Sequence, residues 1–369
     1  MKKINFSDVN PLSSKKISSI KKKVSKTINK GDFILGESVR NFEKDFSNMS
    51  NVKYSVGCAS GTDALILTLM ALQLKQNDEV IVPGLTYIST GLAVILNNNK
   101  LILADIDDQT GLIDINKIKN KITKNTKAII PVNLYGQKVD LIKLRRVVGR
   151  KISIIEDSAQ SHFALYEKEN KPRQSEISVA ACYSFYPAKN LGAYGDAGLV
   201  STNNSTIYKR LLALRNLGSI KKYKHSLIGL NSRLDTIQAV VLKEKLNSIL
   251  ILNKKRRKIA NYYDKILAPI KQIKLTKTSK GSSRHLYVIR TSRRNELIKY
   301  LAKKKIYCII HYPYSLNKLA AFRKKVKKTK LKNSENWARQ CMSLPLHPNL
   351  SINDIQRVGK EINNFFKRK

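Results

Sequence analysis

Two rhythms of apolar residues share residues 60–201. Short continuous apolar runs fall at 79–82, 101–105, 128–132, 152–156, 181–185 and 198–201. Runs this short, with no polar residue at alternate positions, predict strands buried on both faces. Between and before them, apolar residues recur every three or four positions, which predicts helices over 61–74, 89–97, 115–122 and 141–148. Strands alternating with helices predict an α/β fold with a mostly parallel central sheet wrapped by helices. From about residue 205 the rhythm changes. A long helix is expected over 234–267, followed by helices mixed with strands at 285–290 and 307–311. The chain thus divides into a large α/β domain, 1–245, and a smaller α+β domain, 246–369.

A chain of 369 residues with 42% hydrophobic residues can bury a sizeable core. The charge complicates the picture, because 70 Lys+Arg against 26 Asp+Glu give +44. Such a balance invites a polyanionic partner. The basic runs KKKVSK, KIKNKITK and KKVKKTKLK are nevertheless spread along the chain, with no basic tail and no nucleic-acid-binding motif beside them. They read as solvated helix faces, and no specific nucleic acid is expected. No apolar stretch is long enough to cross a membrane. The opening MKKINFSDVNPLSSKK lacks the apolar segment of a secretory signal. The four cysteines form no CxxC pair and no metal-ligand spacing, which suits a reducing cytoplasm and no metal site.

The candidate chemistry lies where predicted strands end, since sites in such sheets form at the carboxyl ends of strands. Gly57-Cys58-Ala59-Ser60-Gly61-Thr62 runs straight into a helix, whose free N–H groups and positive dipole end suit a phosphate. Ser60 also fits a plain helix cap. In Glu156-Asp157-Ser158-Ala159-Gln160 an acid could meet a cationic ring nitrogen, or only cap the next helix. Tyr87 could stack on a flat ring, or only pack. In SFYPAKNLGAYGDAG, Ser184 and Lys189 close the strand at 181–185, and Lys189 is the one lysine among small and turn-forming residues. Taken together, a phosphate cradle, an acid for a ring nitrogen, an aromatic stack and an isolated amine describe pyridoxal phosphate.

These stretches, together with GDFILGESVRNFE, PVNLYGQ, GLNSRLDTIQA and MSLPLHP, resemble in this order the DegT/DnrJ/EryC1/StrS family of sugar aminotransferases over nearly the whole chain. The resemblance implies the type I fold of pyridoxal-phosphate-dependent aminotransferases and a homodimer with active sites shared between subunits. It implies that Lys189 forms the Schiff base with the cofactor, Asp157 pairs with the pyridine nitrogen, and Gln160 lies beside the ring. Tyr87 would stack on that ring. Gly61, Thr62 and Ser184 would hold the phosphate, and Asn231 would reach the phosphate in the partner's site. Relatives with histidine at the lysine position are dehydratases, so Lys189 implies transamination. LRNLGSIKKYKH, RHLYVIR and IIHYP look most like enzymes that aminate dTDP-linked 3-oxo-6-deoxyhexoses, with L-glutamate as donor. In those, Tyr186, Lys222, His311 and Tyr312 match positions near the sugar nucleotide. His311 equally fits a hydrogen-bonded structural role, and His162 is expected to support the Asp157 loop. Phe163, where the subgroup has glycine, and YSLNKL at 314–319 depart from the pattern. Amination at C4 of the sugar, as in perosamine-type pathways, is an alternative. So is a nucleic-acid-binding protein on an enzyme-derived fold.

Overall fold

Seven strands form the central sheet of the computed structural model, which describes residues 2–166, 177–326 and 329–367. In chain order they are β1 (Tyr54–Cys58), β2 (Glu79–Pro83), β3 (Lys100–Ala104), β4 (Thr126–Ile129), β5 (Ser153–Asp157), β6 (Ala180–Ser184) and β7 (Gly198–Thr202). Side by side they run β1-β7-β6-β5-β4-β2-β3. β7 lies antiparallel to both its neighbours, and the other pairings are parallel. β2 and β7 are buried at every position, which explains the apolar Val80–Val82 and Leu199–Val200 at their centres.

Two amphipathic helices, α1 (Ser14–Lys30) and α2 (Glu37–Ser50), precede the sheet. Around it lie α3 (Gly61–Leu72), α4 (Ile88–Leu96), α5 (Ile115–Ile118), α6 (Leu141–Val148), α7 (Ser205–Leu214) and α8 (Thr236–Leu246). One face of the sheet packs Leu65 and Leu67 of α3 against Val80, Leu101 and Val200. A hairpin of β8 (Ser219–Lys221) and β9 (Lys224–His225) stands at the surface.

After α9 (Ile249–Leu267) come β10 (Lys274–Leu275), β11 (Tyr287–Arg290), α10 (Arg294–Lys303), α11 (Lys332–Gln340), β12 (Cys341–Leu344) and α12 (Ile352–Lys367). β10, β11 and β12 make an antiparallel sheet. Its core joins Tyr263, Ile289, Leu297, Met342 and Val358, and it takes in Ile4 from the N-terminal end of the chain.

Three sequence expectations change. The long helix at 234–267 is two helices, broken at Asn247 and Ser248. Asn and Ser are weak helix formers, the Ser248 N–H bonds back to the Lys245 carbonyl, and the Ser248 hydroxyl accepts from Lys16 Nζ at 2.6 Å. The strand at 307–311 reduces to a single bridge between Ile309 and Ser343. At 115–122 the α-helix stops at Ile118 and continues as a 3₁₀ turn. The apolar pattern also passes over α1, α2 and β1; in β1, YSVGC, Ser55 and Gly57 interrupt the run. Among the described residues no helix is long and apolar enough to cross a membrane.

Candidate active site

β1, β2, β5 and β6 point the same way, and the loops after their carboxyl ends surround a cavity of about 490 Å³. Ten of the twelve expected site residues line it: Gly61, Thr62, Tyr87, Asp157, Gln160, Ser184, Tyr186, Lys189, His311 and Tyr312. The last two reach it from beyond α9.

The loop after β1 is pressed against β6 and β7. A Cβ at Gly61 would lie 2.5 Å from Ser184 Cβ, and one at Gly198 would lie 2.2 Å from the Ser60 carbonyl oxygen. Only glycine permits this approach. The Asp63 N–H donates to Ser60 Oγ at 3.1 Å, so Ser60 does cap α3. Thr62 Oγ1 and Ser89 Oγ, 2.7 Å apart, link the first turns of α3 and α4. The early N–H groups of a helix have no upstream carbonyl partner, so this corner is built for an anion.

Asp157 ends β5 and is buried. Its carboxylate accepts from Thr90 Oγ1 at 2.8 Å and from the Ala159 N–H at 3.2 Å. Burial raises its pKa, against those hydrogen bonds and the nearby Lys189. Gln160 has a fixed orientation: its Oε1 accepts from the Tyr135 N–H at 2.8 Å, and its Nε2 donates to Tyr312 Oη at 2.7 Å. The rings of Tyr312 and Tyr87 stand 5.7 Å apart. Tyr135 Oη donates to the His311 carbonyl at 2.6 Å, while His311 Nδ1 lies 2.9 Å from Ser343 Oγ. His311 is therefore both hydrogen-bonded and cavity-lining.

Lys189 sits in a turn closed by its own N–H bonding to the Tyr186 carbonyl at 2.8 Å. Its pKa falls to about 8 because burial disfavours the ammonium, with Asp157 pulling the other way. Among the described residues its Nζ makes no side-chain hydrogen bond. A second lysine braces the same turn: the buried Lys245 donates to the Gly192 carbonyl at 2.7 Å, and its Nζ lies 4.3 Å from the Tyr194 ring centre. His162 does not line the cavity. It donates through Nε2 to the Ser184 carbonyl at 2.9 Å, and burial drops its pKa to about 3, so it is a neutral support. Phe163 packs in the core on Phe46, with ring centres 5.2 Å apart. In the 314–319 stretch Leu316 is buried and Tyr314 exposed.

Asn231 and Lys222 lie outside this cavity. Asn231 is exposed and bridges to Asn216, and Lys222 is exposed at the turn of the β8–β9 hairpin. Sequence reasoning passed over Thr90, Asp196 and His285, although the last two line the cavity. Thr90 follows Thr86 by four residues within GLTYIST, and that spacing of hydroxyls was its only signal.

The residues fit pyridoxal phosphate. The Gly61 corner is a hollow that a Cβ would fill, Asp157 is a buried acid, and Lys189 presents an amine with no side-chain hydrogen bond among the described residues.

The profile of the DegT/DnrJ/EryC1/StrS aminotransferase family matches residues 15–363. The chain is 37% identical over 364 residues to the dTDP-3-amino-3,6-dideoxy-alpha-D-galactopyranose transaminase of Aneurinibacillus thermoaerophilus, covering 98% of this chain and 99% of that one. Its fold matches the S. venezuelae DesV crystal structure in complex with a ketimine intermediate, with a TM-score of 0.95, 34% identity and complete coverage of both chains. It also matches NtdA from Bacillus subtilis with bound cofactor PMP, with a TM-score of 0.92 and 28% identity, covering 100% of this chain and 86% of that one.

Proposed function

Because this chain belongs to the DegT/DnrJ/EryC1/StrS aminotransferase family, we propose that it moves an amino group from L-glutamate to C3 of a dTDP-linked 3-oxo-6-deoxyhexose. The observation that carries this reading is one cavity holding Lys189, Asp157 and the Gly61–Ser184 corner together. Pyridoxal phosphate, when bound, supplies an electron sink for negative charge at the substrate carbon.

The chain's own residues do the rest. The first turn of α3, with Thr62 and Ser184, anchors the phosphate. Tyr87 would cover the ring, and Gln160, fixed by Tyr135, would border it. Asp157, whose carboxyl pKa burial raises, would pair with the ring nitrogen and favour its protonated form. Lys189, whose side chain lines the cavity, would hold the cofactor through its amine and release it to a substrate amine. With a pKa near 8, a useful share of the freed Nζ is neutral at physiological pH. The neutral Nζ of Lys189 would take the proton from the substrate carbon that bears the nitrogen and carry it within the cavity. One pass converts L-glutamate to 2-oxoglutarate, and the reverse pass converts the keto sugar to the amino sugar.

Tyr186, His311 and Tyr312 border the sugar side. In a homodimer Asn231 completes the partner's phosphate site, and Lys222 brings positive charge to the sugar diphosphate. The free cysteines suit a reducing compartment, and we assign the enzyme to the cytoplasm. The test is a panel of dTDP-, UDP- and GDP-linked 3- and 4-keto sugars with L-glutamate, read by mass spectrometry. Gain of an amino group at C3 on a dTDP sugar supports the proposal. Product only at C4, or only on another nucleotide, overturns the substrate assignment, and no product on any sugar overturns the sugar reading.

A further inference from the structure

His285 lines the cavity, is only 8% exposed, and has no role in the chemistry described above. The hydrogen bonds behind it determine which of its two ring nitrogens carries the proton. The Ser283 carbonyl can only accept, so the Asn190 group 2.9 Å from it is the amide NH₂. The same NH₂ donates to Asn253 Oδ1 at 2.9 Å. Asn253 is oriented independently, because its own NH₂ donates to the His162 carbonyl at 2.9 Å. Asn190 Oδ1 is therefore an acceptor, and it lies 3.1 Å from His285 Nδ1. Nδ1 must donate. Burial, with Lys189 and Arg256 nearby, keeps the imidazole neutral, so Nε2 bears a lone pair. Among the described residues nothing donates to it. Nε2 is thus a free acceptor on the wall of the cavity, open to a donor brought by a ligand.

We propose that His285 Nε2 receives a hydroxyl of the keto sugar flanking the carbon that is aminated, and so serves only the sugar half of the reaction. The inference rests on the aminotransferase reading. L-Glutamate has no donor to offer at this point, because its carboxylates only accept and its amine is engaged at the cofactor. A sugar hydroxyl can donate. Asn190 follows Lys189 directly in the chain, so the network that sets the tautomer also keeps the acceptor near the reacting group.

Both half-reactions can be read on one signal. Starting from enzyme carrying pyridoxal phosphate, the fading of the visible band is timed after addition of L-glutamate or of a nucleotide-linked 3-amino sugar. The sugar panel includes pairs that differ by one hydroxyl next to the amino-bearing carbon. His285→Asn preserves a donor toward Asn190 and removes the Nε2 acceptor. It should slow the sugar-driven step roughly tenfold to a hundredfold and leave the glutamate-driven step unchanged. His285→Gln, which can return an oxygen near the Nε2 position, should recover part of the loss. Wild type should discriminate within one hydroxyl pair, and H285N should not.

Equal slowing of both steps would assign His285 to Lys189 or to the fold and overturn the inference. So would an unchanged sugar step, or a wild type indifferent to every flanking hydroxyl, a result that needs no variant to fold. A wild type that responds to L-glutamate but to no amino sugar overturns the sugar reading itself. One that responds to neither amine overturns the aminotransferase reading.

Discussion

Thr90 Oγ1 donates a 2.8 Å hydrogen bond to Oδ2 of the buried Asp157, and Thr86 Oγ1 stands 3.0 Å behind Thr90. Thr90 has one proton, and the carboxylate is a better acceptor for it than the Tyr87 carbonyl at 3.3 Å. Asp157 is therefore aimed by a residue on the neighbouring helix. A hydrogen bond to a charged group contributes about 1.5–3 kcal/mol. Thr90→Val should weaken cofactor retention roughly tenfold to a hundredfold, and Thr90→Ser should keep most of it. Spectral titration of apoenzyme with pyridoxal phosphate measures both, and equal affinities in all three proteins would refute the aiming role.

The Lys189 amine should become reactive at a lower pH than an ordinary lysine. Desolvation lowers its pKa from 10.5 to about 8, so the neutral nucleophile accumulates as pH rises through that value. The rate at which apoenzyme captures pyridoxal phosphate should climb from pH 7 and level off by about pH 9. A rate still rising steeply at pH 10 would contradict the desolvated setting.

Gly61→Ala places a methyl 2.5 Å from Ser184 Cβ, and two backbone segments would have to separate. Such overpacking costs about 1–3 kcal/mol. The loss should fall on the phosphate end of the cofactor. Affinity for pyridoxal phosphate should drop roughly fivefold to a hundredfold, while the weaker binding of pyridoxal changes little. Equal losses for the two would point to a general disturbance of the fold.

If Asn231 acts across a dimer, two crippled chains should rescue each other. A dimer of one Lys189→Ala chain and one Asn231→Ala chain contains one site with both residues intact. Random pairing of equal amounts should restore about one quarter of wild-type activity in a symmetric dimer. No recovery, in mixtures whose subunit exchange is verified by mass, would return Asn231 to its own chain's structure.

The +44 charge should matter at low salt and little otherwise. Weak binding to DNA or RNA, without sequence preference, should fade toward physiological ionic strength, where the Debye length is about 8 Å. Turnover should persist, since the cofactor site relies on enclosed hydrogen bonds and a covalent amine. A parallel salt titration compares the two. Tight, salt-resistant binding to one nucleic-acid sequence, with no turnover, would favour a binding protein.

Much of this architecture could be read from the chain because both kinds of signal are local. Doubly buried strands announce themselves as short apolar runs, as in Val80–Val82 of β2. Most site residues follow strand ends directly, so locating the strands located Asp157, Ser184 and Lys189 as well. β1 escaped because Ser55 and Gly57 are buried there despite their polarity and size; Ser55 answers to Ser47 Oγ at 2.8 Å, a partner on α2. Thr90 and His285 escaped for a related reason. Their meaning lies in what they touch, Asp157 in one case and Asn190 in the other, and both partners are distant in sequence. The break after α8 was missed because apolar spacing carries on through Asn247 and Ser248 while the backbone does not.

The order of the strands also constrains the sequence of events during synthesis. β1 is the first strand of that sheet to be made, yet it sits at the edge and, among the described residues, its only neighbour in the sheet is β7, the last. Tyr54 must wait for Thr202 to emerge from the ribosome before it can pair. The Gly61 corner rests on the same closure, because Ser60 packs on Gly198 and Gly61 on Ser184. A nascent chain thus has no phosphate cradle until β7 has been translated and inserted between β1 and β6. Long-range closures of this kind are slow steps. A cofactor held at this corner could enter only after the sheet is complete, so the newborn chain must reach that point without its help.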